Sequence, residues 1–343
     1  MAVDGITTAG FPRISIVIPT YNEEENIERC LKAIFEQDYP ADRLEVLVVD
    51  GGSTDRTVEL AQQYPIIYVR NPKKLAEAAK ILGFSRATGE LFLYLDADLF
   101  LASKAWLSRL VKPLVEDATI IGAFTRFIPE KMDPGINRYL SYHEFHLDPL
   151  LEFICYPLAK TFREDRKDYQ VCWFEVGKIP PVGICIYRRL PLRELVNPTE
   201  DLVWEDIGMP VILARAGYHR FAYIEDAGMY HLTVKSVREL IRQKRRDVTQ
   251  IFLPVVDKRL VTYIDFNRPV DTIKLAGWVI YANLIIPTIF KSIWKTLKYR
   301  DLACLYEIIV TPLVTDYVVL LFLTNPNGQR LLRRLANRLL GRR

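Results

Sequence analysis

Two carboxylates one residue apart, Asp96 and Asp98, follow the apolar run Leu91-Phe92-Leu93-Tyr94-Leu95. Carboxylates this close repel each other unless positive charge sits between them. A hard divalent cation supplies that charge and takes oxygen ligands, phosphate oxygens among them. A cation held by Asp98 with help from Asp96 could bridge the phosphates of a nucleotide sugar. Other polar residues also fall where apolar runs stop. Pro19-Thr20-Tyr21-Asn22-Glu23 follows residues 14–18, and Asp50 closes residues 44–49. Gly51-Gly52-Ser53 comes next, and its glycines let backbone approach a ligand closely. An aspartate there can accept hydrogen bonds from a nucleobase or a ribose hydroxyl. It can equally cap the helix that follows, since Asp and Ser commonly start helices.

These residues converge only if the apolar runs are neighbouring strands. Short apolar runs bounded by Gly, Pro and Asp predict strands at residues 14–19, 44–50, 66–69 and 91–96. The spacing of Ile27, Cys30, Leu31 and Ile34 predicts a helix from about Glu23. Leu75, Ala78, Ala79 and Leu82 predict another before Gly89. The β-α-β-α-β-α-β alternation predicts an α/β fold, a mostly parallel twisted sheet covered on both faces. Such sheets bind ligands beyond the C-terminal ends of their strands, where the polar residues above would sit. Past Lys104 the pattern loosens, and residues 130–180 read as an acceptor-side insertion. Residues 183–187 and 219–224 are strand-like, 204–216 helical, and 236–250 a very basic helix.

The series Val17-Ile18-Pro19-Thr20-Tyr21-Asn22-Glu23, Val48-Val49-Asp50-Gly51-Gly52-Ser53-Thr54-Asp55 and Asp96-Ala97-Asp98 resembles the nucleotide-sugar half of the family 2 inverting glycosyltransferases, which have the GT-A fold. The resemblance covers residues 12–100. Trp204-Glu205-Asp206-Ile207-Gly208-Met209, Ala214-Arg215-Ala216-Gly217-Tyr218 and Tyr230-His231 extend it to about residue 250. It implies that Asp50 contacts the base and that Pro19, Tyr21 and Glu23 line the nucleotide pocket. Asp96 would face ribose and metal, and Asp98 would bind the metal, Mn2+ or Mg2+. Asp206 would be the catalytic base with Glu205 beside it. His231 would lie near the diphosphate or metal, and Arg242, Arg245 and Arg246 would close over the diphosphate. Inversion by single displacement needs one carboxylate to take the acceptor hydroxyl proton. It also needs positive charge to stabilise the leaving nucleoside diphosphate. Each residue has a plainer reading too. Asp206 can serve a helix macrodipole, His231 can be a satisfied structural histidine, and the basic run can be a solvated or membrane-facing helix surface.

Two departures from the family pattern bear on specificity. Ala79-Lys80-Ile81-Leu82-Gly83 stands where the family often has Ala-Arg-Asn-x-Gly. Lys80 keeps the charge and is expected to contact the nucleotide sugar, whereas Ile81 loses a polar group. Gln243-Lys244-Arg245-Arg246-Asp247 stands where processive members have Q-x-x-R-W. The apolar spans are also too few for a polymer channel, so one sugar per acceptor is expected. A phosphate acceptor is already ionised and barely needs a base, whereas a hydroxyl does. Glu205-Asp206 therefore points to a hydroxyl of a lipid-linked saccharide or glycolipid. A polyprenyl-phosphate glycosyltransferase, similar to dolichyl-phosphate sugar synthases, is the alternative. A sugar-1-phosphate nucleotidyltransferase fits less well, because it would open with a Gly-rich, Arg-containing loop.

The 343 residues divide on this reading into a GT-A domain, 1–250, and a C-terminal membrane-associated helical region, 251–343. Residues 12–100 form the nucleotide-sugar half and 101–250 the acceptor half. Residues 1–234 hold 26 basic and 34 acidic side chains, but residues 235–343 hold 20 basic and 8 acidic. A basic C-terminal third beside the apolar stretches 275–290 and 302–323 points to an anionic membrane surface. No helix-turn-helix, RNP or finger signature supports a nucleic-acid partner. The first stretch is short for a span, and Glu307 and Asp316 interrupt the second. A two-span hairpin would put Lys291, Lys295, Lys298 and Arg300 opposite the catalytic domain, against the positive-inside tendency. In-plane or re-entrant helices at the cytoplasmic face are therefore favoured over spanning ones. A soluble helical subdomain is the alternative. Leucines facing arginines across residues 330–343 suit an interfacial helix. The five cysteines include no C-x-x-C pair, and Met1 to Arg13 lack an apolar leader stretch. Reduced thiols and no structural zinc are expected.

Overall fold

The structure, a computed structural model, describes residues 10–196, 207–255, 263–266 and 268–339. The chain forms two compact units, Met1–Ile128 with Pro157–His231, and Pro129–Tyr156 with Leu232–Arg343.

The first unit begins with the predicted alternation: β1 (Ile14–Thr20), α1 (Ile27–Phe35), β2 (Leu44–Asp50), α2 (Thr57–Ala61), β3 (Ile67–Arg70), α3 (Ala76–Arg86) and β4 (Leu91–Tyr94). β1 pairs in parallel with β2 and β4, and β2 with β3. Nearly every residue of β1, β2 and β4 is buried, as expected for strands covered on both faces. Helix α1 buries the four residues whose spacing predicted it. It begins at Ile27 rather than Glu23, because Glu23 opens the preceding turn by accepting the Ile27 N–H at 2.8 Å. β5 (Leu99–Leu101), α4 (Trp106–Glu116) and β6 (Gly122–Phe127) follow. The chain then contributes α5 (Gly135–Ser141) and α6 (Pro149–Ile154) to the second unit. It returns with β7 (Phe162–Asp165), β8 (Gln170–Trp173), β9 (Cys185–Arg188), α7 (Arg189–Leu195), α8 (Gly208–Arg215) and β10 (Arg220–His231).

The strand order is β3-β2-β1-β4-β9-β6-β10-β8-β7, with β5 paired to the end of β10. β9 runs antiparallel between β4 and β6, and β10 runs parallel to β6. This mixed, mostly parallel sheet with its helices is the GT-A arrangement. Three details differ from the sequence expectation. β4 stops at Tyr94, so Asp96 and Asp98 lie in a turn, closed by the Leu99 N–H on the Asp96 carbonyl at 3.1 Å. β10 continues past Ile224 to His231, through an irregularity between Ile224 and Met229. Part of the expected insertion is the β7–β8 hairpin on the sheet edge.

Helix α3 packs very tightly on β1. A Cβ on Gly83 would lie 2.3 Å from Val17 Cγ1. Gly83→Ala is therefore expected to destabilise the unit by about 1–3 kcal/mol, the usual cost of overpacking. A lower urea midpoint is the readout, and an unchanged midpoint would show that α3 can move aside.

The second unit adds α9 (Val237–Arg246), a π-helical stretch Asp247–Phe252, α10 (Leu253–Val255), α11 (Pro269–Asn283), α12 (Ile285–Tyr299), α13 (Glu307–Thr324) and α14 (Pro326–Leu339). Ile136, Tyr139, Leu140, Leu240, Val310 and Val314 pack at its core. The apolar stretch 275–290 is broken at Leu284, where α11 and α12 meet at 77°. Pro287 explains the break, because in a continuous helix it would lack the N–H for the Asn283 carbonyl and its ring would clash there. In the first turn of a new helix it is tolerated. Among the described residues one helix, Leu302–Thr324, is long and apolar enough to cross a membrane. Lys295, expected in a surface-basic connector, is instead buried against Glu307, with N–O at 3.1 Å.

Candidate active site

β1 and β2 end side by side, with Thr20 opposite Asp50. The Asp50 carboxylate is buried, and four donors surround it. They are the Gly52 N–H at 2.9 Å, the Ser53 N–H at 3.1 Å, the Ser53 hydroxyl at 2.5 Å and the Tyr68 phenol at 3.3 Å. Gly52 sits at φ +87°, a conformation glycine adopts without steric cost. Asp50 thus organises its own turn and does not cap the helix that follows, because α2 starts only at Thr57 with Arg56 at its N-cap.

The loop after β1 is stitched to that turn. Asn22 donates its N–H to Ser53 Oγ at 2.9 Å and accepts the Thr54 N–H at 2.9 Å. Glu23 donates its N–H to Thr57 Oγ1 at 2.7 Å. Pro19 lies within β1 opposite Val49, and Tyr21 is exposed with the Lys74 ammonium 5.8 Å from its ring centre. Sequence reasoning placed Asn22 and Ser53 in these strand-end turns without giving either side chain a role, and it missed Tyr68. Asn22 had a usable signal, since an Asn just past a strand tolerates the positive φ of 55° found here.

The acids gather beside this turn. Burial raises the Glu23 carboxyl above the usual range. The Asn26 amide, at 2.9 Å, pulls it back, and the charges of Asp98, Asp96 and Asp55 push it up further. Burial and the same neighbours, Asp98, Asp96 and Glu23, push up the Cys30 thiol. Pairing of β5 with β10 sets Leu99 opposite His231. His231 Nε2 consequently lies 3.4 Å from Asp98 Oδ2, with its ring against Phe127. The structure therefore brings Glu23, Asp96, Asp98 and His231 into one neighbourhood of excess negative charge. Oxygen donors with one imidazole suit Mg2+ or Mn2+. Among the described residues no three His, Cys, Asp or Glu side chains form a ready-made metal cage, so ligands from outside the chain, such as water or phosphate oxygens, would complete any coordination.

Lys80 is buried on α3 with its ammonium 4.3 Å over the Tyr94 ring, a cation–π arrangement. The Tyr94 hydroxyl in turn donates to the Gly183 carbonyl. Arg242, Arg245 and Arg246 are exposed on α9 in the second unit, where Arg246 pairs with Asp247 at 3.3 Å. Glu205 and Asp206 lie outside the described residues.

Comparison with known proteins follows the same lines. Residues 15–195 match the family described as Glycosyl transferase family 2. The chain is 33% identical over 142 residues to glycosyltransferase AglE of Haloferax volcanii, covering 39% of this chain and 46% of that protein. It is 41% identical over 92 residues to a dolichol-phosphate mannosyltransferase of Pyrococcus furiosus, covering 25% of this chain and 26% of that protein. The chain thus spans less than half the length of these relatives. Among solved structures it resembles the mannosyltransferase PcManGT from Pyrobaculum calidifontis, solved in complex with GDP-Man and Mn2+. The TM-score is 0.53 at 18% identity, over 93% of this chain and 89% of that one, a likeness of fold. The family match covers more than half of the sequence and runs through both the Asp50 turn and the Asp96-Ala97-Asp98 turn, and the chain belongs to glycosyl transferase family 2.

Proposed function

We propose that this protein transfers a single sugar, with inversion, from a nucleoside-diphosphate sugar to a hydroxyl of a lipid-linked saccharide at the cytoplasmic face of a membrane. One observation above others supports this reading. The Asp50 turn, the Asp96-Ala97-Asp98 turn and the His231 end of β10 lie on one edge of the sheet. Pro19, Tyr21, Glu23, Asp50, Lys80 and Asp96 would hold the donor, with Asp50 on the base. Asp98 and Asp96 would hold a divalent cation, which when bound supplies positive charge to the leaving diphosphate. His231, Arg242, Arg245 and Arg246 would add to that charge. Asp206, with Glu205 beside it, would take the acceptor proton as the hydroxyl attacks.

Membrane attachment is supported by the basic C-terminal third and by large apolar side chains left exposed on α11 to α13, among them Ile280, Ile285, Ile286, Phe290 and Leu297. The 77° elbow favours in-plane or re-entrant helices over a straight crossing. In this reading residues 1–250 carry the transfer chemistry and 251–343 the attachment. A polyprenyl-phosphate acceptor is the second reading, favoured by the similarity to a dolichol-phosphate mannosyltransferase.

A donor panel tests the proposal. Detergent-solubilised protein is mixed with UDP-, GDP- and dTDP-sugars, with Mn2+, Mg2+ or EDTA, and nucleoside diphosphate release is followed. Metal-dependent release from one donor is expected. No recognition of any donor by folded protein would count against the transferase reading. Asp206→Asn is expected to slow transfer to a hydroxyl acceptor by about 10²-fold or more. Undiminished turnover would remove Asp206 from the mechanism, and efficient transfer to polyprenyl phosphate alone would favour the second reading.

A further inference from the structure

The donors around Asp50 restrict which base it can read. A carboxylate offers about four acceptor positions. Gly52, Ser53 through both its N–H and its hydroxyl, and Tyr68 engage all of them. An incoming base N–H can bond to Asp50 only by displacing one of these. The two backbone N–H groups are fixed by the turn, and the Ser53 hydroxyl sits close at 2.5 Å on Oδ1. Tyr68 is the loosest partner, at 3.3 Å on Oδ2. It stands on β3 opposite Val48, so it shares a sheet face with Asp50 two residues on. Tyr68 as a residue is 39% exposed, which leaves its side chain able to shift. Burial and the Asp50 charge both raise the phenol pKa, so the hydroxyl stays protonated and available as a donor.

We infer that Tyr68 is a specificity-determining residue, and that with Asp50 it selects a donor whose base has a uracil-type edge, one imino N–H flanked by carbonyls, over guanine. The inference rests on the reading that Asp50 contacts the base. A uracil N3–H needs one acceptor. It takes the Tyr68 position on Oδ2, and the displaced hydroxyl donates to the adjacent base carbonyl. Guanine presents two neighbouring donors, N1–H and N2–H, and pairs best with both carboxylate oxygens. The second oxygen is occupied by the Ser53 hydroxyl, which would be left unpaired beside the base. Thymine shares the uracil edge and would be accepted.

Calorimetry on the full chain with Mn2+ tests this, using UDP, GDP and N3-methyl-UDP on wild type and Tyr68→Phe. Wild type is expected to bind UDP about tenfold or more tightly than GDP, the scale of one hydrogen bond to a charged group. N3-methyl-UDP, which lacks the imino proton, is expected to bind wild type at least about tenfold more weakly than UDP. Tyr68→Phe removes a single hydroxyl, and circular dichroism verifies its fold. It should shrink the UDP preference threefold or more. A smaller change, or a wild-type preference for GDP, would overturn the inference and leave the transferase reading standing. Equal binding of UDP and N3-methyl-UDP would instead remove Asp50 from the base, and the inference would fall with it.

Discussion

An Asp98→Asn protein is expected to turn over about 10²–10³-fold more slowly than wild type, the scale seen when one preorganised stabiliser of developing charge is removed. Asparagine keeps the shape of the side chain and removes its charge. Asp98 lies in the β4–β5 turn, 3.4 Å from His231 Nε2, and its charge helps raise the Glu23 carboxyl. Removing that charge relieves repulsion among the acids while weakening the hold on a cation. Activity should therefore fall, and the Mn2+ concentration for half-maximal rate should rise, without loss of thermal stability. Nucleoside diphosphate release across a Mn2+ titration, with a parallel melting curve, separates these effects. A wild-type rate at low Mn2+ would exclude Asp98 as a ligand. A lower melting temperature would assign it a structural role instead.

Glu307→Ala is expected to destabilise the second unit by about 3–5 kcal/mol, the usual consequence of leaving buried charge uncompensated. Glu307 has no exposed surface. It pairs with Lys291 at 2.7 Å and Lys295 at 3.1 Å, and accepts the hydroxyls of Tyr139 and Thr311 at 3.2 Å each. Lys295 also reaches His143 Nε2 at 3.0 Å, and His143 Nδ1 meets Glu152 at 2.7 Å. The network ties α5, α6, α12 and α13 together. Replacing the pair, Lys295→Met with Glu307→Leu, should recover most of the loss, because the remaining Lys291 is partly exposed and can reach water. Unfolding in detergent reads both variants. Matching midpoints for wild type and Glu307→Ala would show that the network contributes no net stability.

The strand ends were legible in the sequence because their signals are local. Apolar runs at residues 14–18 and 44–49 stop at Pro, Thr and Asp, and the Gly51-Gly52 pair allows one tight turn. Parallel pairing then forces Thr20 and Asp50 to one edge without further information. The Asp98–His231 contact was not legible as geometry. It depends on β5, three residues long, pairing with the far end of β10, and so short a strand has no periodicity to read. Tyr68 was hidden for a related reason. As one aromatic in a strand it could face either way, and only its register against Val48 turns it toward Asp50.

The second unit divides in the same way. Its basic and apolar character is a property of composition, and so is the break that Pro287 forces in the apolar stretch. The partners of its charges are not. Lys291 and Lys295 lie one turn apart on α12 and Glu307 begins α13, in sequence that reads equally as a solvated connector and an interrupted span. Tertiary packing alone buries Glu307 between two lysines, because a charge removed from water must be paired and the nearest partners come from another helix. Backbone geometry and residue chemistry determine where a strand ends and what its end can bind. Which distant side chain completes that end depends on register and packing, which are long-range.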